Sequence, residues 1–128
     1  RKELLDSSLP SRDTNEITGL IASPGKVNGV VKLVKVDNAE EVAKLIPSIK
    51  PGTILVTGMT NPTMVPLMKN VTGIITDEGG MACHAAIIAR EIGVPALVGC
   101  RIATRVLNDG DEVELDADKG IVRKLKGV

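Results

Sequence analysis

The chain is 128 residues long, carries 16 Lys plus Arg against 16 Asp plus Glu, and contains no Phe, Tyr or Trp. Its length fits one domain, large enough to bury roughly two thirds of its unfolded surface without disulfides or metal, and 43% apolar residues exclude disorder and collagen-like repeats. Zero net charge and the missing rings exclude non-specific binding to phosphate backbones, base stacking on single strands, aromatic membrane anchoring and cation cages.

Residues 1–16 are mostly polar, carry Pro10 and read as a linker or leader, so the domain proper is expected over 17–128. Arg rather than Met at position 1 suggests a piece of a longer polypeptide. The N-terminal stretch has no apolar run of the signal-peptide type, and nothing approaches the roughly 18 apolar residues of a membrane span. Two isolated cysteines, Cys83 and Cys100, point to a reducing compartment, and a cytoplasmic location is expected.

From Ile17 the pattern turns apolar. Ile17 to Ile21 reads as a short strand, Ser23-Pro24-Gly25 as a turn, and the β-branched, partly alternating run Gly29 to Val36 as a second strand. Asp37-Asn38 can cap a helix over Ala39 to Ile46, with Glu40 and Glu41 at its positive end, and Pro47 and Pro51-Gly52 close it. Thr53 to Val56 fits a buried strand. Thr60-Asn61-Pro62 then offers a cap with Pro in the first turn of a helix through Met68. Val71 to Thr76 returns as a strand, His84 to Ile92 reads as a helix, Gly93 suits a left-handed cap and Pro95 to Val98 is another strand. Glu112 to Leu115 and Ile121 to Leu125 flank a turn-rich segment typical of a hairpin.

Strand, helix, strand, helix, strand from Thr53 to Val98 implies parallel strands with crossover helices. The expected fold is α/β, a parallel βαβαβ core joined to an antiparallel section built from both ends of the chain.

The single His lies where the strand ending at Thr76 meets the loop Asp77-Glu78-Gly79-Gly80-Met81-Ala82-Cys83, just before a helix. Free N–H groups and the positive end of a helix dipole favour a phosphate group, and small residues around the turn leave room for it. The same positive end favours the neutral imidazole, the form that attacks phosphorus. The local pattern leaves two readings of His84 open, a helix-capping or surface residue and a covalent phosphoryl acceptor. Other chemistries lack their residues. No orienting Asn or Asp is placed for a Cys83–His84 protease, Cys83, His84 and Cys100 lack zinc-ligand spacing, and the loop is not G-x-G-x-x-G.

The run from Gly79 to Gly99, GGMACHAAIIAREIGVPALVG, resembles the phosphohistidine motif of the PEP-utilising enzymes, most closely phosphoenolpyruvate synthase, more distantly pyruvate phosphate dikinase and enzyme I of the sugar phosphotransferase system. GLIASPGKVNG (19–29), TGMTNPTMVP (57–66) and DGDEVELDADKG (109–120) resemble flanking blocks of the same mobile domain. The resemblance implies a swivelling β/β/α domain in which His84 accepts phosphate from an ATP-charged nucleotide-binding domain and passes it to pyruvate on a barrel domain, or the reverse. These partner domains lie in the same or another chain, with no nucleic acid and no membrane involved. ATP and Mg²⁺ are expected on them, and no cofactor or metal on this one. Alone, the chain is expected not to turn over.

Supporting residues implied by the resemblance are Gly79, Gly80 and Cys83 around the phosphate, Thr76 through its hydroxyl, and Arg90 as a counter-charge or a docking residue. Asp77 or Glu78 is a candidate for holding the imidazole through Nδ1. Family members commonly carry Thr two residues before the histidine; Ala82 stands there, so a regulatory phosphorylation of that position is lost. The alternative reading is a non-catalytic interaction module that keeps the fold, or the carrier domain of a related dikinase.

Overall fold

A computed structural model describes residues 16–35, 38–60 and 62–125. The leader proposed over 1–16 lies outside them except for Glu16, which belongs to the first strand; Val36, Asp37 and Asn61 also lie outside.

In chain order the elements are β1 (Glu16–Thr18), β2 (Leu20–Ser23), β3 (Lys26–Val34), α1 (Ala39–Leu45) running into a 3-10 turn (Ile46–Ser48), and β4 (Thr53–Thr57). A second 3-10 turn (Pro62–Met64) leads into α2 (Val65–Met68), followed by β5 (Gly73–Thr76), α3 (His84–Ile92), β6 (Ala96–Val98), α4 (Ala103–Val106), β7 (Glu112–Asp116) and β8 (Ile121–Lys124). All eight strands form one sheet in the order β1-β8-β7-β3-β4-β5-β6-β2.

The parallel core is one strand wider than the sequence pattern indicates, because β3 also pairs in parallel with β4, Val31 opposite Ile54. β4 pairs with β5 and β5 with β6, again in parallel. β7 runs antiparallel to both β3 and β8, and β1 closes that side against β8. The hairpin expectation therefore holds, with Leu115 opposite Val122.

Alternation along the central strands sorts the core into two layers. Leu55, Ile74, Ala96 and Val98 face the helices and pack with Leu67, Met68, Ala86 and Ala89. Ile54, Val56, Ile75 and Leu97 face the other way and pack with Val113, Leu115, Val122 and Leu107. Central strands buried on both faces sit between helices on one side and the antiparallel section on the other, a β/β/α arrangement.

Several boundaries differ from the sequence reading by a residue or two, and three departures are larger. The strand expected over Ile17 to Ile21 is two strands broken at Gly19. β1 and β2 lie at opposite ends of the strand order although one residue separates them, so the sheet rolls until its first and last strands meet at this corner. Gly19 N–H donates to the Gly120 carbonyl at 3.1 Å there. A Cβ on Gly19 would lie 2.5 Å from Cys100 Sγ and 2.9 Å from the Val98 carbonyl, so the corner closes only on glycine. The helix expected from Thr60 to Met68 is a 3-10 turn followed by a short α-helix. Pro66 has no N–H to return to the carbonyl four residues earlier, which interrupts a continuous α ladder. The third is β3, which starts at Lys26, ahead of the expected Gly29, and ends at Val34. By contrast α1 is capped as expected, Asn38 Oδ1 accepting from Glu41 N–H at 2.8 Å.

Among the described residues no helix is long and apolar enough to cross a membrane. Gly19→Ala is expected to destabilise the fold by about 1–3 kcal/mol through overpacking of the corner. The measurement is urea denaturation followed by far-ultraviolet circular dichroism, since the chain has no Trp or Tyr to report by fluorescence. An unchanged midpoint would show that the corner opens at no cost.

Candidate functional site

Parallel strands β4, β5 and β6 point their carboxyl ends to the same edge of the sheet, the place where loops of α/β folds gather functional groups. Three segments leave that edge: Gly58-Met59-Thr60, Asp77 to Cys83, and Gly99-Cys100-Arg101. Backbone bonds carry the ladder past the strand ends and lock the segments together. Asp77 N–H donates to the Thr57 carbonyl at 3.1 Å and Glu78 N–H to Gly58 at 2.9 Å. Cys100 N–H donates to Thr76 at 3.0 Å and Arg101 N–H to Asp77 at 2.8 Å.

Gly79 then takes φ +118°, a conformation L side chains rarely adopt, and a Cβ there would sit 2.7 Å from Cys83 Sγ. Glycine thus lets the loop fold onto the start of α3. Cys83 N–H closes the turn on the Gly80 carbonyl at 3.1 Å. Cys83 is the extended N-cap residue, and its side chain makes no capping bond. The first intrahelical bond is Ile87 N–H to the Cys83 carbonyl, 3.1 Å, so the preceding amides of His84, Ala85 and Ala86 are left without an intrahelical acceptor. His84 occupies the first helical position, half-buried, at the positive end of the helix dipole.

The imidazole is held from the neighbouring strand end. Its Nδ1 lies 2.8 Å from the Thr60 hydroxyl, and Thr60 is itself buried. This corrects the expectation that Asp77 or Glu78 would orient the ring. The Asp77 carboxylate instead accepts from the Thr104 N–H at 3.0 Å and from the Thr104 hydroxyl, fastening the start of α4. Thr60 escaped the sequence reading because it was assigned to a helix cap 24 residues before the imidazole, and only the parallel pairing of β4 with β5 brings the two loops together. The available signal is a polar residue three positions past the end of β4, in a loop at the same edge as the histidine.

Other expected site residues divide. Gly79, Gly80, Cys83 and His84 form one turn, as the sequence placed them. Thr76 is fully buried and its hydroxyl donates to the Glu78 carbonyl at 2.6 Å, which directs it to loop structure rather than to a bound phosphate. Arg90 reaches backward along α3: Nη2 donates to the Met81 carbonyl at 2.6 Å and Nη1 to the Ala22 carbonyl at 3.3 Å. Cys100 lies beneath the site, where burial first and the Asp77 carboxylate second push its thiol up to about 12. Among the described residues no three His, Cys, Asp or Glu side chains converge on a point that would hold a metal ion.

Comparison with known proteins adds two kinds of likeness. The family model for the PEP-utilising enzyme mobile domain matches residues 49–120. The chain is 53% identical over 106 residues to a probable phosphoenolpyruvate synthase of Archaeoglobus fulgidus, covering 83% of this chain and 13% of that protein. It is 49% identical over 106 residues to a probable phosphoenolpyruvate synthase of Methanothermobacter thermautotrophicus, covering 83% and 15% respectively. The chain thus spans only a small part of the length of these relatives. Among solved structures, a solution structure of Enzyme I superposes with a TM-score of 0.67 at 17% identity, over 85% of this chain and 92% of that one. The holo-form of aconitase X from Thermococcus kodakaraensis gives 0.63 at 21% identity, over 88% and 100%. At such identities the structural likeness concerns the fold alone.

The two thiols should behave differently. Iodoacetamide at pH 8 is expected to label half-exposed Cys83 and to spare Cys100, whose thiolate forms only near pH 12 in the folded chain. An acid whose pKa rises from 9.0 on folding keeps its proton in the folded state while the unfolded state loses it, so Cys100 lowers stability progressively as pH climbs from about 9 to 12. Denaturation midpoints across that window should fall less steeply in Cys100→Ala than in the wild type. Labelling of Cys100 in the native chain, or parallel slopes, would contradict the assignment.

Proposed function

Because the chain belongs to the PEP-utilising enzyme mobile-domain family, we propose that His84 is its phosphoryl acceptor and that the domain carries the group from an ATP-charged nucleotide-binding domain to pyruvate on a barrel domain, or in the opposite direction. The observation that carries this reading is the hydrogen bond between His84 Nδ1 and the Thr60 hydroxyl at the open N-terminus of α3. A ring nitrogen engaged at Nδ1 leaves Nε2 to react, and in the tautomer that donates its Nδ1 proton to the Thr60 hydroxyl the lone pair lies on Nε2.

In the transfer, the Nε2 lone pair attacks phosphorus. The N–P bond forms as the bond from phosphorus to the donor's leaving oxygen breaks, and that oxygen departs with the electron pair. The Nδ1 proton stays on the ring, donated to Thr60, which stabilises the positive charge that builds on the imidazole. The untaken amides at the start of α3 face the incoming phosphoryl oxygens as neutral donors. Return of the group to an acceptor reverses each bond change and regenerates the same tautomer.

Nucleotide and Mg²⁺ belong on this reading to the domain that charges His84, and no step is assigned to a metal held by this chain. Pyruvate and its binding groups belong to the acceptor domain. Carriage between two such domains suits a cytoplasmic enzyme and explains why this chain alone would not turn over.

Two donors test the proposal. Potassium phosphoramidate, a small reagent that needs no partner, and ATP with Mg²⁺ plus the nucleotide-binding domain of a phosphoenolpyruvate synthase should each add one phosphoryl group, labile to acid and absent from His84→Ala. Mass spectrometry at neutral pH reads the adduct, and one that persists in His84→Ala sinks the reading. Thr60→Val should slow phosphorylation about ten- to a hundredfold by releasing the ring, whereas Thr60→Ser, which keeps the hydroxyl, should stay close to wild type. Equal rates for Val and Ser would remove the orienting role of Thr60.

A further inference from the structure

We propose that Arg90 is a positioning residue, a latch that fixes which way the amides of the 79–83 loop point without itself touching the phosphoryl group; the proposal rests on the carrier reading of His84. Its first anchor is a defect in the sheet. The pairing of β2 with β6 places Ile21 opposite Leu97 and Ser23 opposite Ala96, and the register slips between them, so Ala22 is the extra residue of a bulge. Ala22 is 3% exposed and has no register partner on β6, and a carbonyl buried at a bulge needs a donor. Arg90 Nη1 supplies it at 3.3 Å.

The second anchor is the loop. Arg90 Nη2 holds the Met81 carbonyl at 2.6 Å. The peptide between Met81 and Ala82 is planar and trans, so drawing the carbonyl toward the guanidinium turns the Ala82 N–H to the opposite side. The Gly80 carbonyl is already taken by Cys83 N–H. Two consecutive carbonyls of the loop are therefore tied down, one by the turn and one by Arg90. A free carbonyl oxygen swinging toward a phosphoryl group would repel it, whereas N–H groups attract it. Holding both carbonyls keeps the loop in the form that receives an anion.

Helix geometry separates this role from direct contact. Arg90 follows His84 by six residues, roughly 240° around the helix and about 9 Å along it, so the two side chains leave α3 on different faces. The planar fork of Arg matches two carbonyls from two segments, one in β2 and one in the loop, which the point charge of Lys does not reproduce.

The test uses the full chain as wild type, Arg90→Met and Arg90→Lys, with potassium phosphoramidate as donor and nitrogen-15 spectra as structural readout. In unphosphorylated Arg90→Met the Ala82 amide resonance should shift and broaden, and phosphorylation of His84 should slow about tenfold or more. Arg90→Lys should fall between the two. Guanidinium at tens of millimolar should restore part of the Arg90→Met rate while lowering its thermal midpoint, a combination that loss of stability alone does not give. An Ala82 amide that behaves alike in wild type and Arg90→Met overturns the latch, as does a rate that guanidinium leaves unrestored. Arg90 side-chain nitrogens that shift on phosphorylation while the Ala82 amide stays fixed would show a phosphate ligand and overturn it equally. A wild type that takes no phosphoryl group removes the carrier reading instead, and the amide comparison still decides whether Arg90 latches the loop.

Discussion

Parallel pairing of β4 with β5 and β5 with β6 is the constraint on which the site depends. It puts three loops at one edge, and the bonds from Asp77 to Thr57, Glu78 to Gly58 and Cys100 to Thr76 then fix their heights relative to one another. A shift of register by one residue would reverse the faces of Leu55 and Ile54 as well as move Thr60 off the imidazole. Geometry at the site and burial in the core are consequently set by the same hydrophobic alternation, and neither can drift without the other.

The sheet's closure serves the same edge. Gly19 lets the chain pass from β1 to β2 in one residue, which brings the antiparallel section under the parallel core and leaves β2 beside β6. From there the Ala22 bulge offers its carbonyl to Arg90, linking the corner to α3. Small residues make the approach possible. Ala85, Ala86 and Ala89 are buried on α3 and let the helix lie close to the sheet, a packing that larger side chains would hold apart.

How much of this was legible follows from how local each signal is. The helix from His84 to Ile92, its left-handed Gly93 end and the hairpin β7-β8 depend on caps, turns and periodicity within a few residues, and sequence shows them directly. The loop glycines were readable for the same reason, because Gly79 answers a backbone demand. What sequence reading missed is carried by pairings distant in the chain: Thr60 with His84 across 24 positions, Arg90 with Ala22 across 68, and the split of one apparent strand at Gly19. Thr60 illustrates the difficulty well. Before Pro62 a Thr is a good helix cap, and local chemistry alone prefers that use over holding a ring on another strand's loop.

The absence of aromatic rings takes on a positive sense against this geometry. Stacking surfaces bind bases, and a chain without Phe, Tyr or Trp offers no such ring beyond its single imidazole. On the proposed carrier reading this economy has a thermodynamic logic. A group that must leave as readily as it arrives is poorly served by tight charge pairing, because stabilising the phosphorylated state alone deepens a well that the next transfer has to climb from. Arg90, the cation of the motif, directs two of its donors to the Met81 and Ala22 carbonyls, and Asp77 is turned to Thr104, so neither charge is paired with the imidazole, whose Nδ1 is met by the Thr60 hydroxyl. Neutral donors orient a phosphoryl group with modest stabilisation, and on the proposed reading the strong electrostatics needed to cleave and reform its bonds reside in the partner domains.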